Sequence, residues 1–226
     1  MRLLDRPVWH PLTTRWADHA EGDHRALRLK RDYGVFGAAI DTSPESLAAL
    51  AALVPDTGEL WLVEADPPAL PGTRVIRSAR CVQMVADAIT PGPPPNFDIV
   101  PLGEEDAPAM YDLAILTEPG PYARFTHRLG GFVGVKEGDR LVAMAGERMQ
   151  LPGMSEVSGV CTHPDFRGRG YAGALMRAVA TRMLARGDQP FLHAYASNAG
   201  AIALYESLGF AIDGEATAAI VGRDHI

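Results

Sequence analysis

The chain has 226 residues, 47% of them hydrophobic and 22% charged, which is enough ordinary globular sequence for one large domain or two small ones. Its formal charge of −7 provides no broad basic surface, so neither nucleic acid nor an anionic membrane is an expected partner. Cys81 and Cys161 are too few for a disulfide framework or a four-ligand zinc site, and the histidines lack metal-ligand spacing; no metal is expected. No apolar run of about 18 residues is present and the first residues carry charge, so neither a membrane helix nor a signal peptide is read, and a cytoplasmic location is expected.

Near the start, Trp9, Leu12 and Trp16 recur at helical spacing. All three tryptophans, Trp61 included, are expected to serve packing. Residues 34–40 read as a short buried strand. Ser43-Pro44-Glu45 is a helix start, with a capping hydroxyl, a proline in the first turn and an early carboxylate. Its apolar stripe of Leu47, Leu50, Ala51, Leu53 and Val54 runs to Pro55. Residues 60–63 read as a strand and 74–85 as one or two more. No catalytic constellation stands out in this stretch. In Thr90-Pro91-Gly92-Pro93-Pro94-Pro95, the prolines lack N–H donors and stop both helix and central strand. The predicted division is a non-catalytic N-terminal α/β unit over 1–89, a Pro-rich linker over 90–96 and a second domain over 97–226. A long surface loop inside one domain is the other reading.

Beyond the linker, 99–102 reads as a strand. Glu104-Glu105-Asp106 opens a helix with carboxylates at its positive end. Residues 117–121 break it, and a second short helix is predicted through His127. A hairpin over 132–135 and 141–151 turns at Glu137-Gly138-Asp139, and 156–162 is another strand. Ala172, Leu175, Met176, Val179 and Met183 share one face of a long helix that Gly187 ends. A strand over 191–194, a helix over 198–208 and a last strand or hairpin over 210–221 follow. The order β-α-α-β-β-β-α-β-α-β predicts an α/β (α+β) fold with a mixed central sheet flanked by helices.

The most informative segment carries Thr162, Pro164, Arg167, Gly168, Arg169, Gly170, Tyr171 and Ala172, joining a strand to the head of the long helix. A helix start has unpaired N–H groups and partial positive charge. Glycines let a ligand approach the backbone, and two arginines add fixed charge, so the turn suits a diphosphate. No Gly-Lys-Ser/Thr closes it as in a P-loop, and its glycine spacing is not the dinucleotide fingerprint. A glycine-rich turn with solvated arginines is the plain alternative.

Arg167-x-x-Gly170-x-Ala172 resembles the Gln/Arg-x-x-Gly-x-Gly/Ala signature of the GNAT superfamily of acyl-CoA-dependent N-acyltransferases. Asn198, Ala201, Tyr205, Gly209 and Phe210 resemble its second signature, Asn-x-x-Ala-x-x-x-Tyr-x-x-x-Gly-Phe. The resemblance covers roughly 97–223. With the preceding region it looks like the glycine-N-acyltransferase-like branch.

The resemblance implies a GNAT-like sheet and acetyl-CoA as donor. It implies a coenzyme A cradle at Arg167, Gly168, Arg169, Gly170, Tyr171 and Ala172, backbone contacts at Val160 and Thr162, and Asn198 on the coenzyme arm. It places the general acid at Tyr205 and the general base at Glu156, acting directly or through water. The acceptor side falls to Glu118, Tyr122, Arg124, Thr126 and His127, with Glu147 and Arg148 from the hairpin. Strand alternation puts Glu156, Ser158, Val160 and Thr162 on one face and Cys161 on the other. Glu156 then lies roughly 13 Å from Val160 unless a bulge or waters close the gap. His193 reads as a satisfied core histidine. The implied activity is acetyl transfer to a primary amine of a small molecule or peptide through a ternary complex, by a monomer or homodimer. A non-catalytic acyl-CoA sensor and an O-acyltransferase are the rivals.

Overall fold

A computed structural model describes residues 2–224. The N-terminal stretch forms α1 (Trp9–Leu12), β1 (Ala20–Gly22), β2 (Ala26–Leu29), β3 (Gly37–Ala39), α2 (Pro44–Ala52), β4 (Leu60–Glu64) and β5 (Thr73–Val85). After the proline run come β6 (Val100–Leu102), α3 (Ala107–Thr117), β7 (Phe132–Glu137), β8 (Arg140–Leu151) and β9 (Met154–Thr162). The chain continues through α4 (Tyr171–Ala185), β10 (Gln189–Tyr195), α5 (Ala199–Ser207) and β11 (Ala211–Arg223).

Local signals act where they were read. The Ser43 hydroxyl accepts the Ser46 N–H and Pro44 begins α2. Asn198 Oδ1 accepts the Ala201 N–H at 3.1 Å and caps α5. Helix α4 buries Leu175, Met176, Val179 and Met183 completely, each contributing about 1.5–3 kcal/mol of apolar transfer. Two readings change. The spacing of Trp9, Leu12 and Trp16 yields only one α-turn, followed by a 3-10 turn at Ala17–His19. The short helix through His127 is a 3-10 turn, Thr126–Leu129.

Strands β1 to β3 form a small antiparallel sheet. The other eight form one mixed sheet, in the order β4-β11-β5-β10-β9-β8-β7-β6. Here the structure departs from the predicted division. The 90–96 segment has no regular structure, yet β5 from before it lies between β10 and β11 from after it. The N-terminal stretch is woven into the sheet rather than standing beside it. Its 13-residue β5 pairs with β11 from Thr73 to Val85 and with β10 over Cys81 to Val85.

Both sheet faces are covered. One packs Val82, Met84, Val157, Leu192 and Ala194 against α4, with Tyr205 of α5 alongside. The opposite face packs Cys81, Met149 and Phe191 against Leu12, Trp16, Phe36 and Trp61. Helix α3 covers Phe132, Met144 and Cys161, and α2 covers Leu60, Leu62 and Val221. No helix among the described residues is long and apolar enough to cross a membrane.

Candidate active site

The sheet opens at one place. Strands β9 and β10 are parallel neighbours, paired only at Met154, Ser155 and Glu156 with Gln189, Pro190 and Phe191. Beyond Glu156 they separate. On its other side β9 carries a bulge: Met144 faces Cys161 but Gly146 faces Ser158, so Gly159 and Val160 together oppose Ala145. Gly159 has φ +63°, and a Cβ there would stand 2.8 Å from the Phe132 ring. Glycine is therefore needed both for the turn of the chain and for the approach of Phe132.

The bulge reverses the expected facing of side chains. Val157 and Val160 both pack toward α4, whereas Cys161 packs under α3. Glu156 and Val160 thus point to opposite faces, because the extra residue breaks the period of two. Cys161 does face away from Val160. Tyr205 packs on the same apolar cluster as Val160. Its hydroxyl makes no hydrogen bond to the described residues, and burial raises its pKa.

The Arg167–Ala172 turn lies at the head of α4. Gly168 and Gly170 have φ +78° and +80°, with nothing within 4 Å of where a Cβ would stand. The first helical bond runs from Ala174 N–H to the Gly170 carbonyl at 3.2 Å, so the N–H groups ahead of it lack helical partners. Arg167 and Arg169 are exposed, and Arg169 lies 3.6 Å from Glu137. The Tyr171 side chain is buried instead, its hydroxyl on Glu137 and its ring against Phe97. Only its backbone faces the turn, and Ala172 is half-buried behind it. Asn198 is exposed and spends Oδ1 on its own helix cap. Thr162 is half-buried at the end of β9.

Glu156 sits in an unexpected setting. It is 1% exposed. Arg148 Nε and Nη2 each donate to one carboxylate oxygen at 2.9 Å, the Met149 N–H donates at 3.3 Å, and His193 Nδ1 lies 2.9 Å from Oε1. Burial alone would raise its pKa. The Arg148 charge and the hydrogen bonds from His193 and Arg148 outweigh burial and hold it down to about 2. Such a carboxylate is a weak base without a free lone pair aimed at solvent. His193 Nε2 meets Gln83 Nε2 at 3.2 Å, and Gln83 Nε2 also donates to the Leu4 carbonyl. His193 is thus a bonded core histidine, as read from its apolar strand. Glu147 also turns inward: 2% exposed, it is held by Arg182 at 2.7 Å and Arg186 at 2.5 Å.

Arg148 borders two small cavities. One, about 10 Å³, lies against the bulge, between Ser158, Gly159, Phe132, Tyr122 and Thr126. The other, about 70 Å³, is lined by Phe36, Trp61, Val63, Cys81, Met149, His193, Tyr195 and Ala218. They share Pro119, Pro121 and Arg148. Of the expected acceptor-side residues, Tyr122 and Thr126 line the smaller cavity, and the buried Tyr122 hydroxyl has no partner among the described residues. Arg124 and His127 do not. They line a separate surface cavity with Glu104, Tyr111, Phe125 and Arg128, and His127 lies 3.4 Å from Glu104. Glu118 is exposed at the end of α3, with a left-handed φ of 48°. Phe36, just ahead of β3, and Trp61 in β4 line the larger cavity, and Trp61 packs in the core as its apolar surroundings predict.

Among known proteins, a family model described as FR47-like protein matches residues 132–218. A crystal structure of a GNAT-family protein from Novosphingobium aromaticivorans is 50% identical, with both chains covered over 100% and a TM-score of 0.89. A GCN5-related N-acetyltransferase from Kribbella flavida is 17% identical over 100% of this chain and 97% of its own, with a TM-score of 0.70, a likeness of fold. No curated protein matches the chain.

Proposed function

Because this chain belongs to the GNAT family of acetyltransferases, we propose that it moves an acetyl group from acetyl-CoA to a primary amine within a ternary complex. The observation that carries the reading is the separation of β9 from β10 beside a bulge, with the glycine turn of α4 opening from the same strand. The turn fits a coenzyme diphosphate: free N–H groups, open space over Gly168 and Gly170, and two exposed guanidinium groups. The donor supplies an activated thioester. The residues present bind it and stabilise charge around it.

Backbone N–H groups at the Gly159–Val160 bulge would donate to the acyl oxygen as it gains charge. The Tyr205 hydroxyl, kept protonated by its burial, serves as general acid to the departing thiolate. Burial pushes both Cys81 and Cys161 up to about 11, so neither offers the thiolate a covalent relay needs. Glu156 takes the part of a positioning residue, anchoring Arg148 and His193; the amine enters as its free base, its nitrogen bonds to the acyl carbon as the C–S bond breaks, the proton it sheds passes to solvent, and solvent reprotonates Tyr205. The narrower likeness to the glycine-N-acyltransferase-like branch is part of the proposal and rests on the region before residue 97.

The test is thiol release from acetyl-CoA across a panel of amines and alcohols, with coenzyme A binding read by thermal shift. Amine-dependent release and a rise in Tm are expected, since a ligand of the native state stabilises by mass action. Gly170→Glu, which sets a negative side chain over the turn, should abolish the shift. Binding without turnover would favour a sensor, and release with alcohols alone an O-acyltransferase. An unchanged coenzyme A affinity in folded Gly170→Glu would refute the cradle.

A further inference from the structure

Resting on that reading, we propose that the N-terminal stretch builds the acceptor subsite, in which Phe36, Trp61 and Val63 hold a short branched aliphatic group while Arg148 and Arg77 recognise a carboxylate on the same molecule.

Four observations carry this. Among the described residues no acidic side chain lines the larger cavity beside Arg148, and its walls are mostly apolar and aromatic. Phe36 and Trp61 meet edge to face with centroids 6.3 Å apart, and the Arg148 guanidinium lies 4.8 Å over the Phe36 ring. Both arginine nitrogens facing Glu156 are engaged, but Nη1 has no partner among the described residues. One donor of a rigidly held guanidinium is therefore left for a ligand oxygen.

Arg77 is the second cation. It is exposed, lies 5.8 Å over the Trp61 ring and pairs with no carboxylate among the described residues. At the outer wall, burial and the neighbouring Cys81 raise the pKa of the Tyr195 hydroxyl, and the Arg77 and Arg148 charges oppose that rise. The Arg148 charge is neutralised by Glu156, so Arg77 supplies the net attraction for an anion.

Size decides the apolar part. About 70 Å³ is well below the roughly 150 Å³ of a cavity that holds benzene. An isopropyl group suits it and an aromatic ring does not. Through Pro119, Pro121 and Arg148 this cavity adjoins the bulge at Gly159, so an amine next to the carboxylate would face the acyl-transfer position.

The experiment has a binding arm and a turnover arm. Isothermal titration with 3-methylbutanoate, its neutral amide and acetate should show the first binding at least tenfold tighter than either of the others. Arg77→Gln, a surface change that leaves the core intact, should remove most of that preference. In the turnover arm, kcat/KM for L-valine should exceed that for isobutylamine and for glycine by at least tenfold, and Arg77→Gln should reduce the valine-to-isobutylamine ratio about tenfold. Equal binding of the acid and its amide, or no binding of either, would overturn the subsite whatever the turnover. Turnover of amines without any carboxylate preference would leave the acetyltransferase reading standing and this one refuted.

Discussion

At the scale of single residues, Tyr205 and Glu156 were singled out for the same reaction but stand on opposite sheet faces. Tyr205→Phe keeps the ring in its cluster and removes the hydroxyl. Stopped-flow or steady-state assays should find kcat reduced about 10²–10⁴-fold, with coenzyme A affinity nearly unchanged, because the hydroxyl acts in the transition state. Glu156 leads to a stability prediction. Its folded pKa of about 2 lies below the ordinary 4.5, so its contribution is fully present above pH 4.5 and is lost as pH falls toward 2. The linked free energy is on the order of 3 kcal/mol. Tm measured from pH 6 downward should drop steeply in that window, and Glu156→Gln should flatten the acid limb while lowering Tm at neutral pH. The pH–rate profile of that variant should keep the wild-type shape; a rate loss greatest at low pH that recovers toward alkaline pH would restore Glu156 as the base. The sequence marked Glu156 as notable but could not reveal its partners. Arg148 reaches it across a hairpin that holds its own irregularity between Glu147 and Gln150, and His193 comes from a strand 37 residues away.

Elements were most legible where a signal was local. The caps at Ser43 and Asn198, the stripe of α4 and the glycine stops at Gly187 and Gly209 each depend on neighbours within one or two turns, and those helices form near their predicted bounds. Strands β1 and β2, three and four residues long, are too short for an alternation to register, and they went unread. The bulge in β9 was legible only as a gap that needed closing. Gly159 marks it, yet an isolated strand glycine says little about which side chains change face. Its importance can be measured. Gly159→Val forces a β-branched residue into φ +63° and against Phe132. The backbone part alone costs about 1–2 kcal/mol, and the collision adds to it. Chemical denaturation should show at least that loss. Should the strand relax to a regular ladder instead, stability would recover while acyl transfer would not.

At the scale of the whole molecule, the proline run reads as a boundary but the hydrogen bonding crosses it. Proline content is a local property, while strand order depends on pairings more than 100 residues apart, which no single-sequence pattern encodes. The prediction is that residues 97–226 expressed alone are insoluble or molten, because losing β4 and β5 leaves β11 with neither of its sheet neighbours and bares one edge of β10. Separately purified fragments 1–89 and 97–226, refolded together, should reassemble and regain the coenzyme A thermal shift; a soluble, cooperative 97–226 fragment would argue for independence after all. The same weave has a consequence for biosynthesis. Strand β5 leaves the ribosome about 100 residues before either of its sheet neighbours, and at 5–20 residues per second that is a wait of roughly 5–20 s. During that interval Cys81, Val82 and Met84, which the finished sheet buries, stand open to solvent. The order of translation thus keeps this central strand waiting for both of its partners.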